Sequence, residues 1–245
     1  MSVILVTGTD TGIGKTVVTA ALAAVLTARG ARVGVVKPVE TGCANVDGTL
    51  VPEDAVTIAA AAGDTAPLDA ICPYRLPDPL APALAAERAG IGVDVASLAA
   101  HLRARAAEVD VLLVEGAGGL LVPLTRTASF ADLAAAAGAR VVVVVGSRLG
   151  AVNHALLTFA VLQARALPIA GYVVNRLGSS ADLAVATNDD LLRTLTQVPC
   201  LGSVPWTPAV GSVLTALRSG DPTAVEAART RLVTLAAGIN LDALR

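Results

Sequence analysis

A glycine-bearing loop near the start of the chain, Gly8–Thr16, constrains the fold more than any other stretch. It follows an apolar run, Val3–Val6, of the kind that forms a buried strand, and it precedes a helix-compatible segment, Thr16 to about Arg29. Glycines let backbone N–H groups converge without Cβ clashes, and the start of a helix adds its positive dipole end. Strand, glycine loop and helix in this order therefore predict a loop that binds the phosphates of a nucleoside triphosphate.

The last two residues of this loop have specific parts in such a site. Lys15 can reach the terminal phosphates, and the hydroxyl of Thr16 can coordinate Mg²⁺. The loop departs from the strict motif, because position 9 holds Thr9 and the glycine stands one place earlier, at Gly8. The alternative is a strand-to-helix turn without a ligand, which gives no structural reason for Gly-Lys-Thr after a buried strand.

Length and composition fit one domain that spans residues 1–245 and has a full hydrophobic core. Hydrophobic residues make up 54% of the chain, but no apolar run approaches the roughly 18 residues of a membrane helix. The net charge of −2, without charged blocks, favours neither nucleic acid nor a membrane as a partner. Three widely spaced cysteines and the lack of a basic leader suit a reducing cytoplasm.

Strand-length apolar runs alternate with helical stretches along the chain. Because the runs lack inside/outside alternation, they predict an α/β fold with a mostly parallel central sheet and helices on both faces. The predicted strands are Val3–Thr7, Arg32–Lys37, Ile71–Tyr74 (the weakest), Asp110–Glu115, Arg140–Gly146, Ile169–Asn175 and Cys200–Val204. The predicted helices are Thr16–Arg29, Glu53–Ala62, Leu80–Arg88, Val95–Glu108, Phe130–Ala137, Ala151–Arg165, Asp182–Gln197 and Pro222–Ala237. Ligands bind beyond the carboxyl ends of such strands.

Two predicted strands end in charged residues that suit an anionic ligand and its metal. Lys37 is costly to bury unpaired, so it faces either a cleft with an anionic occupant or the solvent. Glu115 follows Val111–Val114, where a carboxylate near a phosphate loop can bind Mg²⁺ directly or through water. The glycines of Gly116–Gly119 allow close backbone approach to a ligand, with a plain turn as the alternative. Asp54, at a predicted helix start, fits a helix cap and a metal ligand equally well.

Three later segments carry weaker signals. The segment Gly146–His154 predicts a second helix N-terminus suited to an anion, where Asn153 either contacts a ligand or caps the helix. Asn175 ends another apolar strand, where its amide can pair with a purine edge or form a turn. Trp206 follows the last strand, and a tryptophan there is either core or in contact with a base.

Together these segments make the chain similar to the dethiobiotin synthetases, ATP-dependent enzymes of biotin biosynthesis. The shared segments are GTDTGIGKT at 8–16, KPVETG at 37–42, VEGAGG at 114–119, LGAVNH at 149–154, VVNR at 173–176 and VPW at 204–206. Their order and spacing are specific to this family. The resemblance implies a single-domain P-loop NTPase-like fold and ends near Trp206, so the helical tail, residues 221–245, lies outside it.

The resemblance also implies residue roles. Lys15 and Lys37 would lie beside the reacting groups as catalytic residues, and Asn175 would lie against adenine. Mg²⁺ would bind to Thr16, Asp54 and Glu115. Contacts with ATP and its metal are implied for Gly12, Ile13, Gly14, Lys15, Thr16, Val17, Asp54, Glu115, Gly116, Ala117, Gly118, Asn175, Arg176, Val204, Pro205 and Trp206. Substrate contacts are implied for Thr11, Thr41, Gly118, Leu149, Gly150, Ala151, Val152 and Asn153, the last five reaching across a homodimer to the substrate carboxylate.

The implied substrates are 7,8-diaminopelargonate and CO₂. One amine captures CO₂ as a carbamate, the carbamate attacks the γ-phosphate of ATP to give a carbamic-phosphoric anhydride, and the second amine closes the ring. Both the carbamate and the triphosphate are anionic, so their approach needs positive charge from Lys15, Lys37, Mg²⁺ and loop N–H groups. Two positions differ from some relatives: Thr41 replaces Ser but keeps the hydroxyl, and residues 207–213 lack an acidic residue.

Two other classes of protein share part of the pattern. Partitioning and septum-placement ATPases carry a signature lysine five residues before the Gly-Lys lysine, where this chain has Asp10. Cobyrinate diamide synthases append a glutaminase domain with a Cys nucleophile, for which 245 residues leave no room. Both comparisons favour the synthetase hypothesis.

Overall fold

Strands and helices alternate through residues 2–179 and 183–244, the part of the chain that the computed structural model describes. The strands are β1 Ser2–Gly8, β2 Val33–Val36, β3 Val39–Thr41, β4 Ala44–Val46, β5 Thr49–Val51, β6 Tyr74–Leu76, β7 Val111–Gly119, β8 Arg140–Ser147, β9 Ile169–Arg176 and β10 Cys200–Val204. The helices are α1 Lys15–Ala28, α2 Glu53–Ala62, α3 Leu68–Ile71, α4 Pro82–Ala89, α5 Val95–Ala107, α6 Phe130–Ala137, α7 Ala151–Ala164, α8 Leu183–Leu195, α9 Val210–Leu217 and α10 Pro222–Leu235. A 3₁₀ turn, Asp242–Leu244, follows.

The main sheet of the described chain has six strands in the order β10-β9-β8-β1-β7-β2, and every neighbouring pair is parallel. The side chains of successive β1 residues pack into the hydrophobic clusters on opposite faces of the sheet. Ile4 and Val6 pack with α1, α2 and α10 on one face, whereas Leu5 packs with α5, α6 and α7 on the other. Burial on both faces explains the continuous apolar runs, and the predicted α/β fold with helices on both faces is confirmed.

The order of the strands brings three predicted strand ends together. Strand β7 lies between β1 and β2, so the loop after β1, the segment after β2 and Glu115 share one edge of the sheet. Pro38 separates β2 from β3, which leaves the main sheet and pairs with β6 instead. Proline lacks the N–H that a central strand needs, so the chain turns away where the sequence predicts that β2 stops.

Several predicted elements differ from the structure. The predicted strand Ile71–Tyr74 is wrong, because residues 68–71 form α3 and the strand β6 begins only at Tyr74, after Pro73. The predicted helix Leu80–Arg88 begins later, at Pro82, since proline is favoured in the first turn of a helix. The predicted helix Asp182–Gln197 is α8 from Leu183, and its first residue lies outside the described residues.

The short strands β3 to β6 and the helices α3 and α9 were not predicted. Strands β4 and β5 form a hairpin across Asp47 and Gly48, which both have positive φ. Asp-Gly between two strands is a strong signal for such a turn. The hairpin was therefore detectable in the sequence, although each of its strands has only three residues.

The C-terminal segment packs into the same core as α1. Helix α10 contacts α1, α2 and α9, and its side chains Ala228 and Leu232 are buried. Ile239, Leu241 and Leu244 fill the same cluster. This segment therefore covers one face of the sheet. Within the described residues, no helix has both the length and the apolar character needed to cross a bilayer.

Candidate active site

A cavity of about 400 Å³ lies at the carboxyl ends of β1, β2 and β7. Its lining comes from the glycine loop, the segment after β2, the start of α2 and the end of β7, with one residue from α9. The lining residues are Thr11, Gly12, Gly14, Lys15, Thr16, Val17, Lys37, Glu40, Thr41, Asp54, Glu115, Ala117, Gly118 and Leu214. Segments distant in the sequence thus form one polar cleft where the sequence predicts a ligand.

Four polar residues in this cleft form a closed network. Oγ1 of Thr16 lies 2.8 Å from Oδ1 of Asp54 and 3.0 Å from Oε1 of Glu115. Nζ of Lys37 donates to Oδ2 of Asp54 at 2.8 Å and to Oε1 of Glu115 at 2.6 Å. Lys37 and Glu115 are both buried. Of the two positions predicted for Lys37, the cleft is therefore correct and the solvent is not. The two charges satisfy each other, as buried ions require.

The network also sets the protonation of its members. Burial opposes the charge on Lys37, but the carboxylates of Glu115 and Asp54 outweigh burial and raise the pKa of Lys37. Burial likewise opposes ionisation of Asp54, but Lys37 and the Thr16 hydroxyl outweigh it and lower the pKa of Asp54. Lys37 is therefore a fixed cation and Asp54 a fixed anion at neutral pH.

Lys15 is in a different state. Its side chain is buried and Nζ donates to the backbone oxygen of Asp10 at 3.0 Å. Burial and the nearby charge of Lys37 lower the pKa of Lys15 to about 8. An anionic group bound in the cleft would stabilise the charged form of Lys15, so this lysine is suited to a phosphate.

The oxygen atoms of the cleft fit a hard divalent cation. Oε2 of Glu115 is buried and has no hydrogen-bond partner among the described residues. The hydroxyl of Thr16 and the partly exposed carboxylate of Asp54 lie on the same side of the cavity. Carboxylate and hydroxyl oxygens beside a phosphate site are the donors that Mg²⁺ takes. The predicted magnesium ligands thus form a suitable donor set.

One apolar side chain of the glycine loop packs into the protein interior. Ile13 is buried, and a Cβ atom added to Gly8 or Gly146 would lie within 2.8 Å of its side chain. Ile13 can therefore reach a nucleotide only through its backbone. Gly14 has a φ of 83° and precedes α1 directly, so the N-cap residue itself places no side chain over the helix N-terminus.

Asn175 contacts this loop directly. Its Nδ2 donates to the backbone oxygen of Ile13 at 2.8 Å, and a Cβ on Gly14 would collide with the same amide. Asn175 lies inside β9, so it does not form the turn that the sequence left open. Its predicted contact with adenine remains a prediction. The predicted nucleotide residues Arg176, Val204, Pro205 and Trp206 lie at the ends of β9 and β10, outside the cavity lining.

The segment Leu149–Asn153 lies apart from the cavity lining of its own chain. The side chain of Leu149 is 83% exposed. Gly150 is the N-cap of α7, and Asn153 lies inside the first turn, so Asn153 is not the cap. Arg148, just before this segment, forms an ion pair with Asp10 in the glycine loop. The predicted substrate contacts of residues 149–153 therefore require a second chain or a rearrangement.

Known proteins resemble the chain over most of its length. A family model described as AAA domain matches residues 2–213. The ATP-dependent dethiobiotin synthetase BioD of Anaeromyxobacter dehalogenans (strain 2CP-C) is 46% identical over 220 residues, which cover 87% of this chain and 97% of the relative. The protein of the same name from Thermodesulfovibrio yellowstonii is 38% identical over 209 residues, 82% of this chain and 87% of the relative.

The chain belongs to the ATP-dependent dethiobiotin synthetase family. The predicted family is thus confirmed, and so is the predicted enzyme class, an ATP-dependent ligase.

Solved structures of more distant proteins share the synthetase fold. A ParA family ATPase from Chlorobium tepidum superposes with a TM-score of 0.57 at 12% identity and covers 96% of this chain and 98% of its own. MinD from Pyrococcus horikoshii, solved with Mg-ADP, gives 0.55 at 18% identity, with 94% of each chain covered. These likenesses confirm the predicted P-loop fold.

Two residues of the synthetase cleft were missed by the sequence analysis. Leu214 comes from α9, an unpredicted helix. Glu40 lies in the KPVETG segment and is buried in the cavity wall. Its carboxylate accepts the backbone N–H groups of Asp54 and Ala55, so Asp54 does not cap α2 with its own side chain. A glutamate beside Lys37 was visible in the sequence, but its contact with α2 was not.

Proposed function

We propose that this synthetase carboxylates and cyclises 7,8-diaminopelargonate with CO₂ and ATP to give dethiobiotin, ADP and phosphate. One observation carries the proposal: Lys37 is buried against Glu115 beside Lys15 and the glycine loop. Two cations thus line a cleft whose expected occupants, a triphosphate and a carbamate, are both anionic. The related enzymes are dethiobiotin synthetases, and their name supplies the product, dethiobiotin.

The glycine loop would bind the triphosphate of ATP. Residues of this loop and of the first turn of α1 line the cavity, where an anion gains from the helix dipole. Lys15 would turn from the Asp10 carbonyl to the terminal phosphates. Thr16, Asp54 and Glu115 would hold Mg²⁺, which when bound offsets the negative charge of the β- and γ-phosphates.

The diamine would bind beside Lys37. Thr41 and Gly118 line that side of the cavity and offer a hydroxyl and backbone groups. One amine of the diamine attacks CO₂ and loses a proton, forming a carbamate. A carbamate oxygen then attacks the γ-phosphorus, ADP leaves, and a carbamic-phosphoric anhydride forms. The second amine attacks the carbamoyl carbon of this anhydride and loses a proton, phosphate leaves and the cyclic urea is complete.

The protein's contribution would be charge and position. The raised pKa of Lys37 makes it a permanent cation rather than a base. A fixed cation at the point where two anions meet stabilises the transition state and needs no reorganisation during the reaction. Holding the carbamate and the γ-phosphate in contact removes most of the entropic cost of their encounter. No nucleophilic side chain enters these steps.

Two further parts of the proposal concern assembly and place of action. The segment Leu149–Asn153, in which Leu149, Gly150 and Asn153 are exposed, would contact the substrate carboxylate of a second copy, so the enzyme would act as a homodimer. The single-chain cavity lacks this segment, which supports a site that is completed across an interface. The three free thiols Cys43, Cys72 and Cys200 suit a cytoplasmic enzyme.

The experiment is a product assay with the purified protein. It would contain ATP, Mg²⁺, bicarbonate and 7,8-diaminopelargonate, with dethiobiotin measured by mass spectrometry and ADP by a coupled assay. We expect dethiobiotin and ADP in equal amounts, and ADP formation that depends on both the diamine and bicarbonate. ATP hydrolysis that instead responds to DNA, lipid vesicles or glutamine, without dethiobiotin, would reject the proposal.

A further inference from the structure

Helix α2 begins without a cap from its own sequence. Its N-cap residue is Pro52, which has no side-chain acceptor for the first backbone N–H groups. Those groups are satisfied by Glu40, fourteen residues earlier in the chain: Oε1 accepts the N–H of Asp54 and Oε2 that of Ala55, both at 3.0 Å. Both oxygens of Glu40 thus accept from the helix end, and although burial raises the pKa of its carboxyl to about 7, these hydrogen bonds and the helix dipole favour the charged form.

The KPVETG segment therefore contacts Asp54 at two points. Lys37 donates to the side-chain oxygen Oδ2, and Glu40 accepts from the backbone nitrogen. Between them, Val39 is fully buried and β3 pairs with β6, which fixes the backbone of the segment. With both its backbone and its carboxylate fixed, Asp54 has one position relative to Thr16.

We propose that Glu40 is a positioning residue that fixes Asp54, through the N-terminus of α2, for binding of the nucleotide's divalent cation. The inference rests on the proposed function only in taking Asp54 as a ligand of that cation. Glu40 lines the cavity, but both its oxygens are already used by backbone N–H groups. It is therefore placed to act through Asp54 rather than on the substrate.

The variant Glu40→Gln tests this inference because it is nearly isosteric. Its amide oxygen can accept one of the two N–H groups, whereas its NH₂ group faces the other donor and repels it. We expect Mn²⁺, used as a spectroscopic substitute for Mg²⁺, to bind the ADP complex about tenfold more weakly, as is typical when a group behind a metal ligand is lost. Electron paramagnetic resonance of free Mn²⁺ measures this affinity without turnover.

The chain offers a matched control in the same helical turn. Glu53 is exposed, and its carboxylate lies 3.5 Å from the guanidinium of Arg218. Glu53→Gln removes the same charge next to Asp54 but leaves the contact with Glu40 intact, so its Mn²⁺ affinity should equal that of the wild type. When a metal chelator is present, both variants should bind ADP with the same affinity as the wild type, since the glycine loop is unchanged.

Three results would overturn the inference. The first is an unchanged Mn²⁺ affinity in Glu40→Gln, and the second is a loss of Mn²⁺ affinity in Glu53→Gln as large as that in Glu40→Gln. The third is a loss of metal-free ADP affinity in Glu40→Gln as large as its loss of Mn²⁺ affinity, which would indicate general damage to the site. If Glu40→Gln does not fold, Glu40→Asp replaces it, because the shorter side chain keeps the charge but cannot reach both N–H groups. The assay contains no diamine, so the inference about Glu40 and the proposed reaction can fail separately.

Discussion

The side of the cleft around Lys37, here called the cation side, differs from the segment Leu149–Asn153. A single folded chain forms the cation side more completely than it forms that segment. On the cation side, Thr16, Lys37 and Asp54 lie within 3.0 Å of partners in the same chain. The segment 149–153 instead presents Leu149 to solvent with 83% of its side chain exposed.

Under the proposed function, this difference separates charge stabilisation from substrate recognition. Charges that are fixed before a ligand arrives need no reorganisation during the reaction, which is where electrostatic catalysis gains most. An exposed recognition segment becomes ordered and buried only when a partner or ligand covers it, and that ordering reduces affinity. We therefore expect changes on the cation side to affect turnover and changes in the segment to affect substrate binding.

The largest effect is expected for Lys37→Ala. Turnover should fall by about 10² or more, because the variant removes a fixed charge matched to the transition state. It should also destabilise the fold by about 3–5 kcal/mol, since Glu115 is left buried without its cation. Single-turnover formation of dethiobiotin measures the first effect and urea unfolding the second. Lys37→Arg, which keeps the charge, is the control, and near-wild-type turnover in Lys37→Ala would remove Lys37 from the chemistry.

The second largest effect is expected for Asn153→Ala, in the segment Leu149–Asn153. If Asn153 binds the substrate carboxylate across the dimer, the KM for 7,8-diaminopelargonate should rise about tenfold, the effect of losing one hydrogen bond to a charged group. The affinity for ADP should not change. Gln163→Ala is the control, because Gln163 is an exposed amide near the other end of α7. A fall in kcat without a rise in KM would contradict the division between the two regions.

The two regions also differ in how well the sequence predicts them. Lys15, Thr16, Lys37 and Glu115 stand next to apolar strands, and the carboxyl ends of parallel strands meet at one edge. Their convergence could therefore be predicted from the order of elements, as could the fold. The role of Asp54 could not be decided from the sequence, because a carboxylate at the start of a helix can cap that helix or bind a metal equally well. The cap is Glu40 instead, and its contact with the start of α2 exists only in the folded chain.

Short elements were the main failures of prediction. Strands of three residues and a helix of four carry too few positions for a hydrophobic period to appear. Leu214 was missed because no helix was predicted between Val204 and Pro222, where α9 lies. The position of Leu149–Asn153 relative to a substrate depends on a second chain, which no pattern within one sequence describes.

A smaller effect is expected at Trp206, the chain's one tryptophan. It follows β10 and is 41% exposed, so a nucleotide base can cover it. Its fluorescence should therefore change when ADP binds, and Trp206→Ala should weaken ADP binding about three- to tenfold, the usual value of an aromatic contact. Inorganic pyrophosphate, which has no base, is the control ligand. A fluorescence change with pyrophosphate equal to that with ADP would argue against contact with the base.

The smallest expected effect is a proton taken up by Lys15, and it sharpens the contrast between the two lysines. Lys37 is a permanent cation because two carboxylates raise its pKa, whereas burial and Lys37 lower the pKa of Lys15 to about 8. Phosphates beside Lys15 favour its charged form and raise its pKa again. ADP binding at about pH 9, where the free lysine is largely neutral, should therefore take up close to one proton, and much less at about pH 7.

Calorimetry in two buffers of different ionisation enthalpy measures this uptake, with a chelator present so that no metal contributes. Lys15→Arg is the control, because arginine stays charged at both pH values and should bind ADP without taking up a proton. Equal binding heats in the two buffers at the higher pH would mean that Lys15 is already charged in the free enzyme. The cleft would then present two permanent cations, and the distinction between Lys37, which stays charged, and Lys15, which loses its charge above about pH 8 until a ligand binds, would be wrong.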